Sequence, residues 1–188
     1  MQPSELIKFL GIIEKLKCNT RHSWTSSGRQ ESVAEHSWRL AVMALLLKDE
    51  FPETDNEKVI KMCLIHDWGE AITGDIPTFL KKEADEKVEN SEVDNLLAKL
   101  PENLKTEFSQ LFCEMRKLET REAKLVKALD KLEAVISHNE ADISTWIPLE
   151  YELNLVYGKE ECAEFEYLVE LRKLLKDISL KKIADSYI

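Results

Sequence analysis

Histidine is scarce in this chain: His22, His36, His66 and His138 are the four it has. Any imidazole chemistry must come from that short set. Glycine and proline number five each, against 33% charged and 44% hydrophobic residues, a balance that favours helices over an all-β fold. The four cysteines, Cys18, Cys63, Cys113 and Cys162, are scattered and form no Cys-x-x-Cys pair. That argues against a disulfide framework or a zinc ribbon and for reduced thiols. No uninterrupted apolar run is long enough to span a bilayer, and the first residues lack the basic start and long apolar core of a signal peptide. The cytoplasm is therefore the expected location, with no membrane partner. Positive charge is short too. A net charge of −10 speaks against a nucleic-acid polymer as partner, because such partners need a basic face.

What is present is helical periodicity. Apolar residues recur at helical spacing over 4–16, 33–50, 56–67, 79–100, 101–117, 120–138 and 160–180, and no strand-like alternation persists for long. No internal repeat or linker divides the chain. At 188 residues a single domain is expected, large enough to bury roughly 70% of its unfolded surface. The expected fold class is all-α, a single-domain helical bundle. Pro101 fits the first turn of one helix and Gly158 the end of another. The acidic run 83–92 reads as a solvated helix face, with partner docking as the alternative. Trp146, Tyr151 and Tyr157 read as core or subunit-interface aromatics rather than a stacking platform.

The chemistry concentrates around His66-Asp67. With His36 upstream and Asp130 downstream, two imidazoles and two carboxylates make a ligand set for one divalent metal, Mn, Co, Fe, Mg or Zn. His66 and Glu70, four residues apart, share a face if that stretch is helical, and Gly74 with Pro77 then stops the helix and turns the chain. Ser32-Val33-Ala34-Glu35 fits a capping box, which gives Glu35 a structural role and puts His36 in the first turns of a helix. Asp130 sits at the margin of an apolar face built by Leu125, Val126, Leu129 and Leu132, where an ionised carboxylate needs a partner or a metal. Lys127 and Lys131 are expected to point to other faces. His22 falls in a polar loop spanning 21–30, and His138 near a helix C-terminus, where it complements the dipole.

The order His36, His66-Asp67, Asp130 resembles the H…HD…D pattern of the HD-domain metal-dependent phosphohydrolases. Glu31-Ser32-Val33-Ala34-Glu35-His36-Ser37 and the run from His66-Asp67 through Glu70 to Thr73-Gly74-Asp75-Ile76-Pro77-Thr78 are similar to the 5′-deoxynucleotidase branch. So is Leu125-Val126-Lys127 followed by Asp130. The likeness runs from about Ile7 to about Asn139, with the metal-site core at about 30–139 and an unmatched C-terminal helical region at 141–188. It implies an HD fold, one divalent ion on His36, His66, Asp67 and Asp130, Glu70 and Asp75 as catalytic acids, and a homodimer. It also implies Arg21 as a substrate contact. Bacterial relatives follow that arginine directly with tryptophan, whereas here the run is Arg21-His22-Ser23-Trp24, which makes Trp24 the matching aromatic at a different spacing. Arg29 and Lys81 match basic positions that would meet a phosphate or face solvent.

The implied substrate is a deoxyribonucleoside 5′-monophosphate, compatible with the acidic chain because the ion and one or two basic side chains neutralise it locally. Either Glu70 or Asp75 would serve as acid or as base. The rivals are a deoxynucleoside triphosphohydrolase or another small phosphomonoester hydrolase and, from another class, a non-catalytic regulator that binds nucleotide or metal. Two-metal HD branches need more histidines than this chain offers.

Overall fold

A computed structural model describes residues 1–186 of the chain. Its helices are α1 (Pro3–Ile13), α2 (Val33–Leu46), α3 (Asn56–Ile65), α4 (Glu70–Thr73), α5 (Glu83–Leu97), α6 (Glu102–Lys117), α7 (Arg121–Glu140), α8 (Glu150–Val156), α9 (Lys159–Cys162) and α10 (Glu166–Asp185). Local signals set many of the boundaries. Ser32 Oγ accepts from the Glu35 amide and the Glu35 carboxylate accepts from the Ser32 amide at 2.8 Å, the full capping box. Asp55 and Thr120 cap α3 and α7 with a side-chain oxygen alone, accepting from the Lys58 and Ala123 amides. Gly74, with φ 75°, stops α4 where the sequence places the stop.

α7 is the axis of the fold. Leu125, Ala128, Leu129 and Leu132 along it are buried against Leu40 and Ala44 of α2, Val59 and Met62 of α3, and Leu168 and Leu175 of α10. One hydrophobic cluster thus runs from Phe9 in α1 to Leu175 in α10, so the C-terminal region belongs to the same core as the motif-bearing part. Burying such side chains contributes about 1.5–3 kcal/mol each.

Several boundaries depart from the periodicity. Residues 21–30, expected as a loop, instead hold most of an antiparallel hairpin, β1 (Thr20–Trp24) and β2 (Gln30–Ser32). The strands are short and irregular in register, so no period-two pattern survives, although Ser26-Ser27-Gly28, with Gly28 at φ 81°, is a turn signal. The expected helix 160–180 is broken between Cys162 and Glu166, because both Cys162 and Phe165 turn into the core. Pro77 and the turn after it delay α5 to Glu83. α8 carried too short a pattern to be seen.

Candidate metal centre and the adjoining clefts

Three elements converge on one point. The capping box sets His36 as the fourth residue of α2, the C-terminal end of α3 delivers His66 and Asp67, and the middle of α7 delivers Asp130. His36, His66 and Asp67 present donor atoms within 4.8 Å of one another. Asp67 Oδ2 lies 3.0 Å from His66 Nε2 and 3.9 Å from His36 Nε2. Asp130 Oδ1 lies 3.2 Å from His36 Nε2 and 4.0 Å from His66 Nε2. Ligands about 2.0–2.2 Å from a shared ion stand roughly 3–4 Å from one another, so the spacing suits a single centre.

The protonation pattern suits it as well. His36 Nδ1 donates to the Glu133 carboxylate and His66 Nδ1 donates to the Cys63 carbonyl at 2.9 Å. Both Nε2 atoms are left buried, facing the centre, with no hydrogen-bond partner. An ion would satisfy both. Burial and Arg21 oppose charge on His36, while Glu133 and Asp130 favour it, and the balance lifts His36 to about 9. A divalent ion at Nε2 would replace that proton.

The layer behind the histidines escaped the sequence reading. Glu133, one turn beyond Asp130 on α7, is fully buried. It accepts from Arg39 Nε at 2.6 Å and Ser137 Oγ at 3.2 Å, and Arg21 lies 3.5 Å away. Burial works against its charge, but His36, Arg21 and Arg39 hold it at about 2. Glu31, 3.8 Å from Arg21, completes the cluster. Because two guanidiniums fill this space, Glu31, His36 and Glu133 form an ion-pair network rather than a second cation site. The i, i+3 spacings of Asp130 with Glu133 and of His36 with Arg39 were the available signals.

The candidate metal centre opens into a cleft of about 290 Å³ lined by Arg21, Glu70, Asp75 and Lys81 together with His66, Asp67 and Asp130. Glu70 is 4% exposed. Burial, followed by the charges of Asp67, Asp75 and Glu89, pushes it up to about 10 against the pull of Lys81. Asp75 is raised too, by burial and Asp67, against Arg21 and Lys81. α3 ends at Ile65, so His66 and Glu70 do not share one continuous helix, yet the turn between them brings both into the cleft. Lys81 pairs with Glu89 there. Within the run 83–92, Glu86 and Glu89 also line this cleft while most of the rest is exposed.

Some expected contacts lie elsewhere. Arg29 is exposed on the hairpin, with its guanidinium on the Glu35 carboxylate at 2.5 and 2.9 Å, and it does not line the cleft. Trp24 lines a small space with His22, His138, Trp146 and Glu150, and does not line the metal cleft. Lys131 pairs with Glu161, as its position allows, but Lys127 Nζ stands 3.6 Å from Asp130 Oδ2. An i, i+3 neighbour is within reach of a long side chain even when its Cβ leaves from another face.

The turn between α3 and α4 depends on Gly69. A Cβ there would meet Glu89 Cγ at 2.6 Å and Val93 Cγ2 at 3.1 Å, because α5 packs directly on the glycine. Gly69→Ala is therefore expected to destabilise the protein by about 1–3 kcal/mol, the usual cost of overpacking, read from the urea midpoint at unchanged slope.

A second polar cluster joins β1, α7 and α8. Glu150 Oε1 lies 3.1 Å from His22 Nε2 and 3.3 Å from His138 Nδ1. His138 does sit in the last turn of α7. It does not serve the helix dipole, because its ring is turned inward and burial lowers its pKa. Trp146 is core, with Nε1 donating to the His138 carbonyl at 2.9 Å and its ring edge-on to Tyr151, whereas the Tyr157 hydroxyl meets Thr78 Oγ1 at 3.1 Å.

Known proteins share this fold. A family model described as HD domain matches residues 13–168. A 5′-deoxynucleotidase of Xenopus laevis is 36% identical over 135 residues, covering 70% of this chain and 66% of the relative. A 5′-deoxynucleotidase of Homo sapiens is 33% identical over 139 residues, covering 72% and 67%. The chain thus spans about two thirds of the length of these relatives. A crystal structure described as a predicted metal-dependent phosphohydrolase from Magnetospirillum magnetotacticum superposes with a TM-score of 0.81 at 28% identity, covering 95% of this chain and 93% of that one.

Proposed function

The chain belongs to the HD-domain family, and we propose that it is a 5′-deoxynucleotidase, removing the 5′-phosphate from deoxyribonucleoside monophosphates with the aid of one divalent ion (Co, Mn, Mg, Fe or Zn). The observation that carries this reading is the ring of His36, His66, Asp67 and Asp130 donors opening into a cleft that also holds Glu70, Asp75 and Arg21. The named activity of the relatives supports it. When bound, the ion would supply positive charge toward the phosphate and lower the pKa of water.

The chain's own groups supply the rest. Arg21, held in its charged form by Glu133, Asp67, Asp130 and Glu31 despite burial, faces the cleft beside Asp75 and offers its donors to phosphate oxygens. Lys81, which also lines the cleft, adds a second cation. Hydrolysis forms a bond from water oxygen to phosphorus, breaks the P–O5′ bond and returns a proton to the leaving oxygen. Burial favours the protonated form of Glu70, which can then donate a proton there. Asp75, less strongly raised and beside Arg21, orients the water and takes its proton. Enclosure by α5 keeps Glu70 from solvent, which preserves the raised pKa.

The deciding assay is phosphate release from paired deoxyribo- and ribonucleoside monophosphates across the five metals, with His66→Ala as the blank. Deoxy-selective, metal-dependent release is the expected result. Release from triphosphates alone would favour a triphosphohydrolase. Glu70→Gln is expected to lower kcat by about 10²–10⁴-fold with nucleotide affinity kept; nucleotide binding with no turnover in the parent protein would instead identify a regulator. Residues 1–188 act in this reading as one HD domain, as a homodimer and in the cytoplasm. Trp38 of α2 and Ile7 of α1, exposed at 64% and 69%, are apolar groups a second copy would cover. No helix among the described residues is long and apolar enough to cross a membrane.

A further inference from the structure

Beside the metal cleft lies a smaller one in which His22, His138, Glu150 and Asn154 have no part in the proposed hydrolysis. It is walled by β1, the loop after Gly74, α7 and α8, and it shares Arg21, Asp75 and Thr78 with the metal cleft. Glu150, the first residue of α8, lies 1% exposed within it. Its Oε2 accepts from the Ile147 amide at 2.8 Å, which fixes the side chain. Its Oε1 points between His22 Nε2 and His138 Nδ1 and is aligned for a hydrogen bond with neither. Asn154 Nδ2 is likewise buried without a hydrogen-bond partner. Leaving such groups unmatched costs roughly 1–3 kcal/mol each, and convergent polar atoms in a cleft next to a reacting centre are the pattern of a ligand subsite.

Size narrows the ligand. The cleft holds about 80 Å³. At roughly 10–15 Å³ per water-sized group, it takes about five to eight heavy atoms. A five-membered sugar ring with its substituents fits that figure, whereas a purine exceeds it. Ala134, Val135 and Leu153 provide an apolar wall for ring carbons.

We propose that this cleft is the sugar subsite of the nucleotide and that Glu150 accepts a hydrogen bond from the 3′-hydroxyl of deoxyribose. The inference rests on the nucleotidase reading. Arg21 and Asp75 border both clefts, so a phosphate held beside them places the attached sugar next in line. A deoxynucleotide carries one free sugar hydroxyl, at 3′, and the unmatched Glu150 oxygen is the acceptor facing it. His22 and His138 flank that oxygen on either side at 3.1 and 3.3 Å. The C-terminal region thereby contributes substrate recognition, and His22 rather than Trp24 is the β1 ring at the sugar.

The test is a cycle between substrate and protein: dTMP and 2′,3′-dideoxythymidine monophosphate on the wild type and on Glu150→Gln, reading kcat/KM. Calorimetric affinities of thymidine and 3′-deoxythymidine are measured in parallel. The wild type is expected to favour the 3′-hydroxyl by about 10- to 100-fold, the ratio corresponding to a hydrogen bond to a charged group. In Glu150→Gln that preference collapses toward unity while dideoxy turnover persists. Equal handling of both substrates by the wild type, which needs no variant to fold, overturns the proposal. So does an equal loss on both substrates in Glu150→Gln, the mark of a structural staple alone. Nucleoside binding that requires the 3′-hydroxyl, without phosphate release, would overturn the nucleotidase reading and leave the subsite standing.

Discussion

Asp67→Ala is expected to leave a folded protein that retains no stoichiometric metal and releases no phosphate. Asp67 Oδ2 is the atom close to both imidazole nitrogens, 3.0 Å from His66 and 3.9 Å from His36, so its removal opens the ring on the cleft side. The substitution also takes away a charge that, after burial, helps to raise both Glu70 and Asp75. Activity should fall by at least the roughly 10²–10³-fold seen when one preorganised electrostatic group is lost. Metal analysis of the purified protein and a phosphate assay check both halves. Asp67→Ala with full metal content and normal turnover would remove the foundation of the proposed centre.

The second large effect is expected away from the cleft. Glu133→Gln leaves His36, Arg39 and Arg21 around a neutral amide in a fully buried position. Breaking a buried ion pair by removing one partner costs about 3–5 kcal/mol, and weakening the group behind a metal-ligating histidine costs about 10- to 100-fold in metal affinity. The sign with pH follows from the depressed pKa. The charge of Glu133 stabilises the fold above the ordinary carboxylate range, and this contribution fades as the pH falls toward about 2. The gap in unfolding free energy between Glu133→Gln and the wild type should therefore narrow in acid, as urea titrations across pH will show. A constant gap would mean that Glu133 matters by shape and not by charge.

Local chemistry decided what could be read in one dimension. Ser32 and Glu35 cap α2 through contacts three residues apart, and that cap places His36. Gly74 ends α4 because its φ of 75° suits glycine, and the stop leaves Asp75 at the mouth of the cleft. The periodicity of α7 was legible from its apolar rows, and with it the anomaly of Asp130. The hairpin was not legible, since its strands are too short and irregular for an alternating pattern. Nor was α8, a helix of seven residues whose first, Glu150, is held by packing against α7 and β1.

By itself, then, the sequence determined the helical class and singled out His36, His66, Asp67 and Asp130 as candidate ligands with Glu70 and Asp75 as candidate acids, because each depends on residue type and short spacing. Only the tertiary structure decided that Glu133, 97 positions from His36, fixes that histidine's ring. It also decided that Arg29 belongs to Glu35 and not to the cleft, and that His22, His138 and Glu150 meet. Which polar group a buried charge finds is settled when α7 docks against α2, β1 and α8, and no local pattern encodes that docking.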